Sequence, residues 1–395
     1  MLNFSFNNMK KRLFSRIIFT LVLAIQSSAF AHDEDLGVMK MDEFRRPSKR
    51  VNLQIPNIPG YLTLKCDFHM HTVFSDGLVW PTIRLQEAWE EGLDAICITD
   101  HIEYQPHAKN VPTQHNRAYE LLKDIAPRSN ILLIHGSEIT RGTPPGHFNA
   151  MFINDASDFV TERGTSELDK AAIDKAAEQK AFIFWNHPGW KVDSVEGSYE
   201  WIPFVDEIQQ EGKLHGIEVF NGFGFHKKAL DWCIDKGLTV MGTSDIHNLT
   251  AHDYDFKNGR TRSMTLLFAK ERSVEGVREA LESARTLAWS SEYLAGPEAL
   301  VKALFEASMK VGPVFHTDAD GVSYLEITNE SDIGYELVKS NAVENSLPET
   351  IHLYPQSTQV ISSSDLEEQL KKTPYIVINT FVRSDQHLSV TLSSK

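Results

Sequence analysis

Eight short apolar runs separated by amphipathic segments constrain this chain more than any other feature. They are Leu64–Phe68, Ala95–Thr99, Ile131–Ile134, Phe148–Ile153, Ala181–Trp185, Gly216–Phe220, Leu238–Gly242 and Met264–Phe268. Short runs at this spacing read as β/α units, which favour a parallel sheet, either doubly wound or closed into a barrel. The segments between them carry helix punctuation. Pro81 suits a first helical position and Gly92 a position just past the end, bracketing Ile83, Leu85, Ala88 and Trp89. Ser166 with Asp169 reads as a capping box ahead of Ala171, Ala172 and Ala176, and Gly237 closes a segment that starts near His226.

After Ala295-Gly296-Pro297 the texture changes. A helix over Glu298–Met309 is followed by strand-like pieces at Tyr324–Ile327, Tyr335–Val338, Thr350–Tyr354, Tyr375–Phe381 and Leu388–Leu392. Residues 297–395 are therefore expected to form a small β-rich accessory domain, with a packing or docking role, since no dense group of potential ligands falls there. Ahead of the apolar runs, residues 32–60 contain Pro47, Pro56 and Pro59 and read as a leader or strap. That leaves 61–296 as the main domain.

Residues 1–31 read as a signal peptide. Lys10, Lys11, Arg12 and Arg16 form a basic region, Ile17–Ile25 is a short apolar run, and Ala29-Phe30-Ala31 supplies a small-x-small cleavage site; Met9 is an alternative start. The protein is therefore expected to be exported, to the periplasm or beyond. No Cys lies near the cut, so no lipid anchor is expected after cleavage. The processed chain would carry 35 Lys and Arg against 54 Asp and Glu, a balance of −19. So acidic a surface argues against a nucleic-acid polymer or an anionic membrane as partner. Cys66, Cys97 and Cys233 are odd in number, widely spaced and set in apolar runs, so they read as core residues rather than disulfide partners.

The chemistry concentrates where the runs end. In Asp67-Phe68-His69-Met70-His71, alternate side chains of a strand share a face, so Asp67, His69 and His71 point one way. Two imidazoles at i and i+2, followed by Ser75-Asp76-Gly77, indicate a metal site rather than a lone core histidine. Three further ends repeat the theme: Thr99-Asp100-His101, Asn186-His187-Pro188 and Ser244-Asp245-Ile246-His247. Glu138 follows the third run and His147 opens the fourth.

These motifs, in this order and spacing, resemble the PHP (polymerase and histidinol phosphatase) superfamily, which is related to the amidohydrolases, over roughly residues 61–290. The resemblance implies a distorted (β/α)7 TIM-like barrel, three divalent metal ions (zinc, manganese or iron) and cleavage of phosphate esters. Carried over position by position, it places His69, His71, Glu138 and Asp245 on a first metal. Glu138, His147 and His187 would hold a second, and Asp76, His101 and His247 a third. Asp76 stands where some members have a histidine, which points away from histidinol phosphatase. Three carboxylates against three divalent ions would leave the site cationic inside an acidic protein, so a small anionic substrate would be drawn in.

The resemblance further implies a metal-bound hydroxide as nucleophile, with Asp245 as its proton acceptor. Asp100 would either orient a histidine or cap a helix. Arg141, Arg260 and Arg262 are candidate phosphate contacts, His226 a candidate general acid, and Tyr104 and Trp190 candidate stacking surfaces for a base or sugar. The expected function is an exported phosphoesterase acting on small mono- or diesters. An amide or lactone hydrolase, or a silent phospholigand-binding protein, are the alternatives, and the number of subunits is left open.

Overall fold

The computed structural model describes residues 49–111, 114–159, 161–190, 199–340 and 344–393. The expected export signal at 1–31 and the expected strap as far as residue 48 lie outside the described residues. No helix among the described residues is long and apolar enough to cross a membrane.

The eight apolar runs all become strands of one large mixed sheet. They are β1 (Leu62–Asp67), β2 (Ala95–Ile98), β3 (Leu132–Ile139), β4 (Phe148–Met151), β5 (Phe182–Trp185), β6 (Gly216–Asn221), β8 (Thr239–Thr243) and β9 (Met264–Ala269), with β7 (Gly224–Phe225) as a short hairpin partner of β6. Two further strands, β10 (Thr286–Ser290) and β11 (Tyr293–Ala295), extend the sheet beyond β9.

Two expectations are corrected here. The sheet is mixed rather than parallel: β4 runs antiparallel to both β3 and β5, and β9 antiparallel to β1 and β10. The connection 140–147 is too short for the dozen or more residues a parallel crossover needs, so β3 and β4 can only pair as a hairpin. The sheet also does not close into a barrel. β8 ladders with β6 alone among the described residues. On its other side, threonine hydroxyls replace the ladder. Thr265 Oγ1 accepts from Gly242 N (3.0 Å) and donates to Gly242 O (2.7 Å), and Thr286 Oγ1 donates to Val240 O (2.7 Å). A side chain at Gly242 would collide with the Met264 carbonyl, so glycine permits the close approach.

Helix ends are set by local chemistry. The helix Pro81–Glu90 begins with proline at its first position and is followed by Gly92 at φ +85°. Gly237 at φ +67° ends Lys227–Lys236. The helix Ser166–Glu178 is capped one residue earlier than the sequence pattern suggested: Thr165 accepts from Leu168 N (3.3 Å).

The C-terminal strands are β12 (Met309–Val311), β13 (His316–Thr317), β14 (Ser323–Asn329), β15 (Tyr335–Lys339), β16 (Thr350–Leu353), β17 (Ser357–Ser363), β18 (Tyr375–Arg383) and β19 (Gln386–Val390). β12, β13 and β17 all pair with β14 in a four-stranded sheet. The others are continuous with the main sheet, because β18 adds in parallel to β11 through Leu294↔Thr380 and Ala295↔Phe381. One apolar cluster spans both parts, joining Trp289 and Leu294 to Val301, Leu304 and Phe305 of the helix Glu298–Ser308 and to Leu337, Tyr375 and Val377. Cys66, Cys97 and Cys233 are free and buried.

Candidate metal centre

The ends of β1, β2, β3, β5 and β8 meet at one edge of the large sheet, and the segments that follow them bind one another. Asp245 N donates to His69 O (2.9 Å), and His71 N to Ile246 O (3.0 Å). Arg84, wholly buried, donates to the carbonyls of both His71 (2.9 Å) and Ile246 (3.1 Å), clipping the two histidine-bearing segments together. Gly77 lies against the backbone of His71, where an added Cβ would stand 2.6 Å from Thr72 N, and this fold-back delivers Asp76. Two ligand candidates have left-handed backbone, Asp245 at φ +51° and His187 at φ +28°. Uncommon conformations of this kind gather at functional sites.

Within this frame nine side chains converge in four overlapping groups: His71, Asp76, His101 and His247; His69, His71 and Glu138; His69, His187 and Asp245; His101, Glu138 and His147. In each group the candidate ligand atoms lie within 4.8 Å of one another. All nine are the residues named from the sequence. Their grouping differs from that expectation in three respects. His71 serves two groups, one with His69 and Glu138 and one with Asp76, His101 and His247. His187 sits with His69 and Asp245, and its Nε2 is 3.9 Å from Glu138 Oε1. His101 serves two groups, with Nδ1 3.0 Å from Glu138 Oε2 and Nε2 3.5 Å from Asp76 Oδ1.

The packing is tightest at the buried end. His69 Nε2 and His71 Nε2 are 3.1 Å apart, each 3.2 Å from Glu138 Oε2, and 3.1 and 3.0 Å from Asp245 Oδ1. His69, His71 and Glu138 have no exposed surface, whereas the side chains of Asp245 and Asp76 are 20% and that of His247 34% exposed. Solvent therefore reaches the cluster past Asp76 and His247.

The electrostatics suit cation binding. Burial raises the Glu138 carboxyl, but His101, His69 and His147 outweigh it and hold the group well below the usual range. Asp245 and Asp76 are likewise held low against their burial, Asp245 by His69 and His71 and Asp76 by His101 and His247. Burial opposes charge on His69 too, yet Asp245, Glu218 and Glu138 raise it well above the ordinary value, and His101 is pushed up to about 10. The donor set suits zinc, manganese or iron, and a cation bound there would compete with protons for the imidazoles. Asp76 Oδ1, buried with no hydrogen bond of its own, points into the same space.

The second nitrogens of the rings are anchored in the manner of metal ligands. His69 Nδ1 meets Glu218 (2.7 Å) and His247 Nδ1 meets Asp245 O (2.7 Å), while His101 Nδ1 is shared between Glu138 Oε2 (3.0 Å) and Thr140 Oγ1 (2.7 Å). Among the described residues the Asp100 carboxylate is not hydrogen-bonded to a histidine. It accepts from Thr72 N (2.7 Å), Thr72 Oγ1 (2.6 Å) and Ser75 Oγ (2.7 Å), and Ser75 in turn lies 3.3 Å from His71 Nδ1.

Sequence reasoning missed Glu218. It is fully buried on β6, where its carboxylate also accepts from His187 N, Asn221 Nδ2 and Thr243 Oγ1. A lone carboxylate inside the apolar run Gly216–Phe220 was the available signal. Asn186 was likewise read only as part of a motif; it donates to Glu138 Oε1 (3.0 Å).

The candidate substrate residues fare differently. Arg262 is buried and binds Asp67 (3.0 Å) and Glu91 (2.6 Å), so it braces the sheet rather than facing a ligand. Arg141 is buried against Glu103 (3.2 Å), Asp169 (3.6 Å) and Glu162 O. Arg260 is exposed and pairs with Glu292 (2.6 Å). These carboxylate partners take the guanidinium groups that the sequence reading assigned to phosphate. His226 accepts from Gly189 N at Nδ1 (3.3 Å), and burial lowers its imidazole to about 4. That burial opposes the protonated form a general acid requires.

An Ig-like domain family model matches residues 309–393. Among solved structures, a two-domain protein from Bacteroides vulgatus containing a predicted PHP-like metal-dependent phosphoesterase is 41% identical, with a TM-score of 0.79 over 88% of this chain and all of that one. A metal-dependent phosphoesterase candidate from Bifidobacterium adolescentis is 17% identical over 55% of this chain and 95% of its own, with a TM-score of 0.38. An amidohydrolase from Chromobacterium violaceum is 14% identical over 48% and 89%, with a TM-score of 0.35. No curated protein matches the chain.

Proposed function

From the premise that this chain belongs to the PHP superfamily of metal-dependent phosphoesterases, we propose that it hydrolyses small phosphate esters at a trinuclear metal site. The observation that carries the reading is the convergence of nine imidazoles and carboxylates in four overlapping groups, with Asp76, Asp245 and His247 part-exposed. His69, His71, Glu138 and Asp245 would hold one divalent ion. Glu138 and His147 would hold a second, with His187, whose Nε2 stands between Glu138 (3.9 Å) and Asp245 (3.8 Å), completing it from the side of Asp245, and Asp76, His101 and His247 would hold a third. Bound there, such ions would supply Lewis acidity that activates water and neutralises phosphoryl charge.

The chain's own residues supply orientation and a proton acceptor. Glu218 fixes the His69 ring, Asn186 steadies Glu138, and Asn221 Nδ2 lies 3.3 Å from Asp245 Oδ2. Asp245, ionised and at the solvent-reached side, is the group we assign to take the proton of the attacking water.

Elemental analysis of the purified protein should return about three divalent ions per chain, and phosphate release should depend on them. Chelation should abolish turnover and lower the melting temperature, because a ligand bound only by the native state stabilises it by mass action. Turnover that survives complete removal of metal would end this reading.

The Ala29-Phe30-Ala31 site after a basic and apolar segment supports export as part of the proposal. Mass spectrometry of the protein from its native cells should find His32 as the first residue. An uncleaved N-terminus on cytoplasmic protein would refute export alone.

A further inference from the structure

Tyr104 and Trp190, the aromatic residues named from the sequence, lie beside ligand candidates, their rings 6.0 Å from that of His101 and 5.2 Å from that of His187. A less expected aromatic contact comes from the Ig-like region. Phe381 of β18 sets its ring 4.8 Å from that of Phe225 on β7, and Phe225 lies 4.9 Å from Phe220, its cross-strand partner on β6. Pairing of β18 with β19 shifts register on both sides of Phe381, the kind of irregularity that re-aims a side chain. The ring packs against the apolar cluster that holds Trp185, Val219 and Phe220. Two polar contacts fasten the same corner to the helix Lys227–Lys236 that follows β7. Arg383 Nη1 lies 2.5 Å from Asp235 Oδ1, and Ser384 N donates to Asp231 Oδ1 (3.0 Å).

The hairpin met by Phe381 carries a residue that touches the metal centre. Asn221 donates through Nδ2 to Glu218 Oε2 (2.8 Å) and lies 3.3 Å from Asp245 Oδ2. β7 is two residues long and pairs with β6 alone among the described residues. So short a hairpin has little stability of its own. Bonds from Gly222 N to Thr243 O (2.9 Å) and from Ser263 Oγ to Gly222 O (2.5 Å) fix its turn, while Phe381 lies against its Phe225 end. Its two cross-strand pairs are neighbours, Phe220↔Phe225 and Asn221↔Gly224, so loosening the first frees the second. Resting on the phosphoesterase reading for its effect on turnover, we propose that the Ig-like region is part of the catalytic unit. Phe381 is a positioning residue that holds the β6–β7 hairpin, and through it Asn221, against Glu218 and Asp245.

The test uses the full chain and reads backbone exchange and turnover separately. In Phe381→Ala the amide hydrogens of residues 221–226 should exchange several-fold faster, in metal-free and manganese-loaded protein alike, with those of β1 unchanged. Turnover is read at saturating manganese on the best ester of a mono- and diester panel. There kcat should fall about tenfold, less than the roughly 100-fold cost of an ångström's misplacement. Asn221→Ala should fall comparably and the double variant no further, because residues acting through one another are not additive. Phe381→Leu keeps most of the apolar volume and should show both changes to a smaller extent; it takes the place of the alanine variant should that fail to fold. Unchanged exchange at 221–226, faster exchange throughout the chain, or kcat losses that multiply in the double variant would each overturn the positioning role. If the wild-type chain releases phosphate from no ester of the panel, the phosphoesterase reading falls, and the exchange comparison still decides whether Phe381 holds the hairpin.

Discussion

Glu138→Gln should lower bound metal and phosphate release together, with kcat/KM falling at least about 100-fold, or ~2.7 kcal/mol of transition-state stabilisation. The residue is wholly buried and takes part in two of the four ligand groups. Its Oε2 faces His69, His71 and His101 at 3.2, 3.2 and 3.0 Å, and its Oε1 faces His147 at 2.8 Å and Asn186 Nδ2 at 3.0 Å. Glutamine keeps the volume but removes the charge and places an amide donor where a ligand atom is needed. If the amide nitrogen takes the Oε1 side it meets the Asn186 donor, and if it takes the other side it meets three imidazoles. Elemental analysis and phosphate release on the same sample check the result, with circular dichroism confirming the fold. A variant with a full metal complement and wild-type turnover would remove Glu138 from the centre.

The i and i+2 spacing drew attention to His69 and His71, but not for the reason the pattern implied. β1 ends at Asp67, and it is bonding of His69 O and His71 N to Asp245 N and Ile246 O that sets the two imidazoles side by side. Asp76, Glu138 and His147 were placed by family pattern, since no local periodicity marks them. Boundaries were less legible. The third run was read as ending at Ile134, whereas β3 continues to Ile139 and carries Glu138 within it. His135, Gly136 and Ser137 look like strand-ending residues, but pairing with both β2 and β4 sustains the extended backbone.

Strand direction was not legible either. Apolar content says that a strand is buried, while the connection decides which way it runs, and the short link before β4 imposed an antiparallel pair. The same limit applies to the arginines. Arg141 and Arg262 had the right residue type near the right loops. Their carboxylate partners Glu103, Asp67 and Glu91 are brought to them only by the fold, and Arg262 lies 171 residues from Glu91.

Glu218→Ala should weaken metal binding about 10–100-fold, the usual consequence of removing a partner that orients a ligand. Four groups lose their acceptor at once: His69 Nδ1 (2.7 Å), His187 N (2.7 Å), Asn221 Nδ2 (2.8 Å) and Thr243 Oγ1 (2.6 Å). All four surround a fully buried carboxylate, so water cannot readily replace it, and removing one partner of a buried charged cluster costs about 3–5 kcal/mol of stability. The melting temperature should therefore fall as well. The signature that separates this residue from Glu138 is recovery. Glu218 donates no ligand atom to the four groups, so the ligands of the alanine variant remain present though poorly held, and excess metal should restore much of its turnover. The same excess should do little for Glu138→Gln, where a ligand itself is gone. Metal titration followed by phosphate release compares the two variants directly. A Glu218→Ala curve that superimposes on the wild type would show that the His69 ring is held well enough by its neighbours alone.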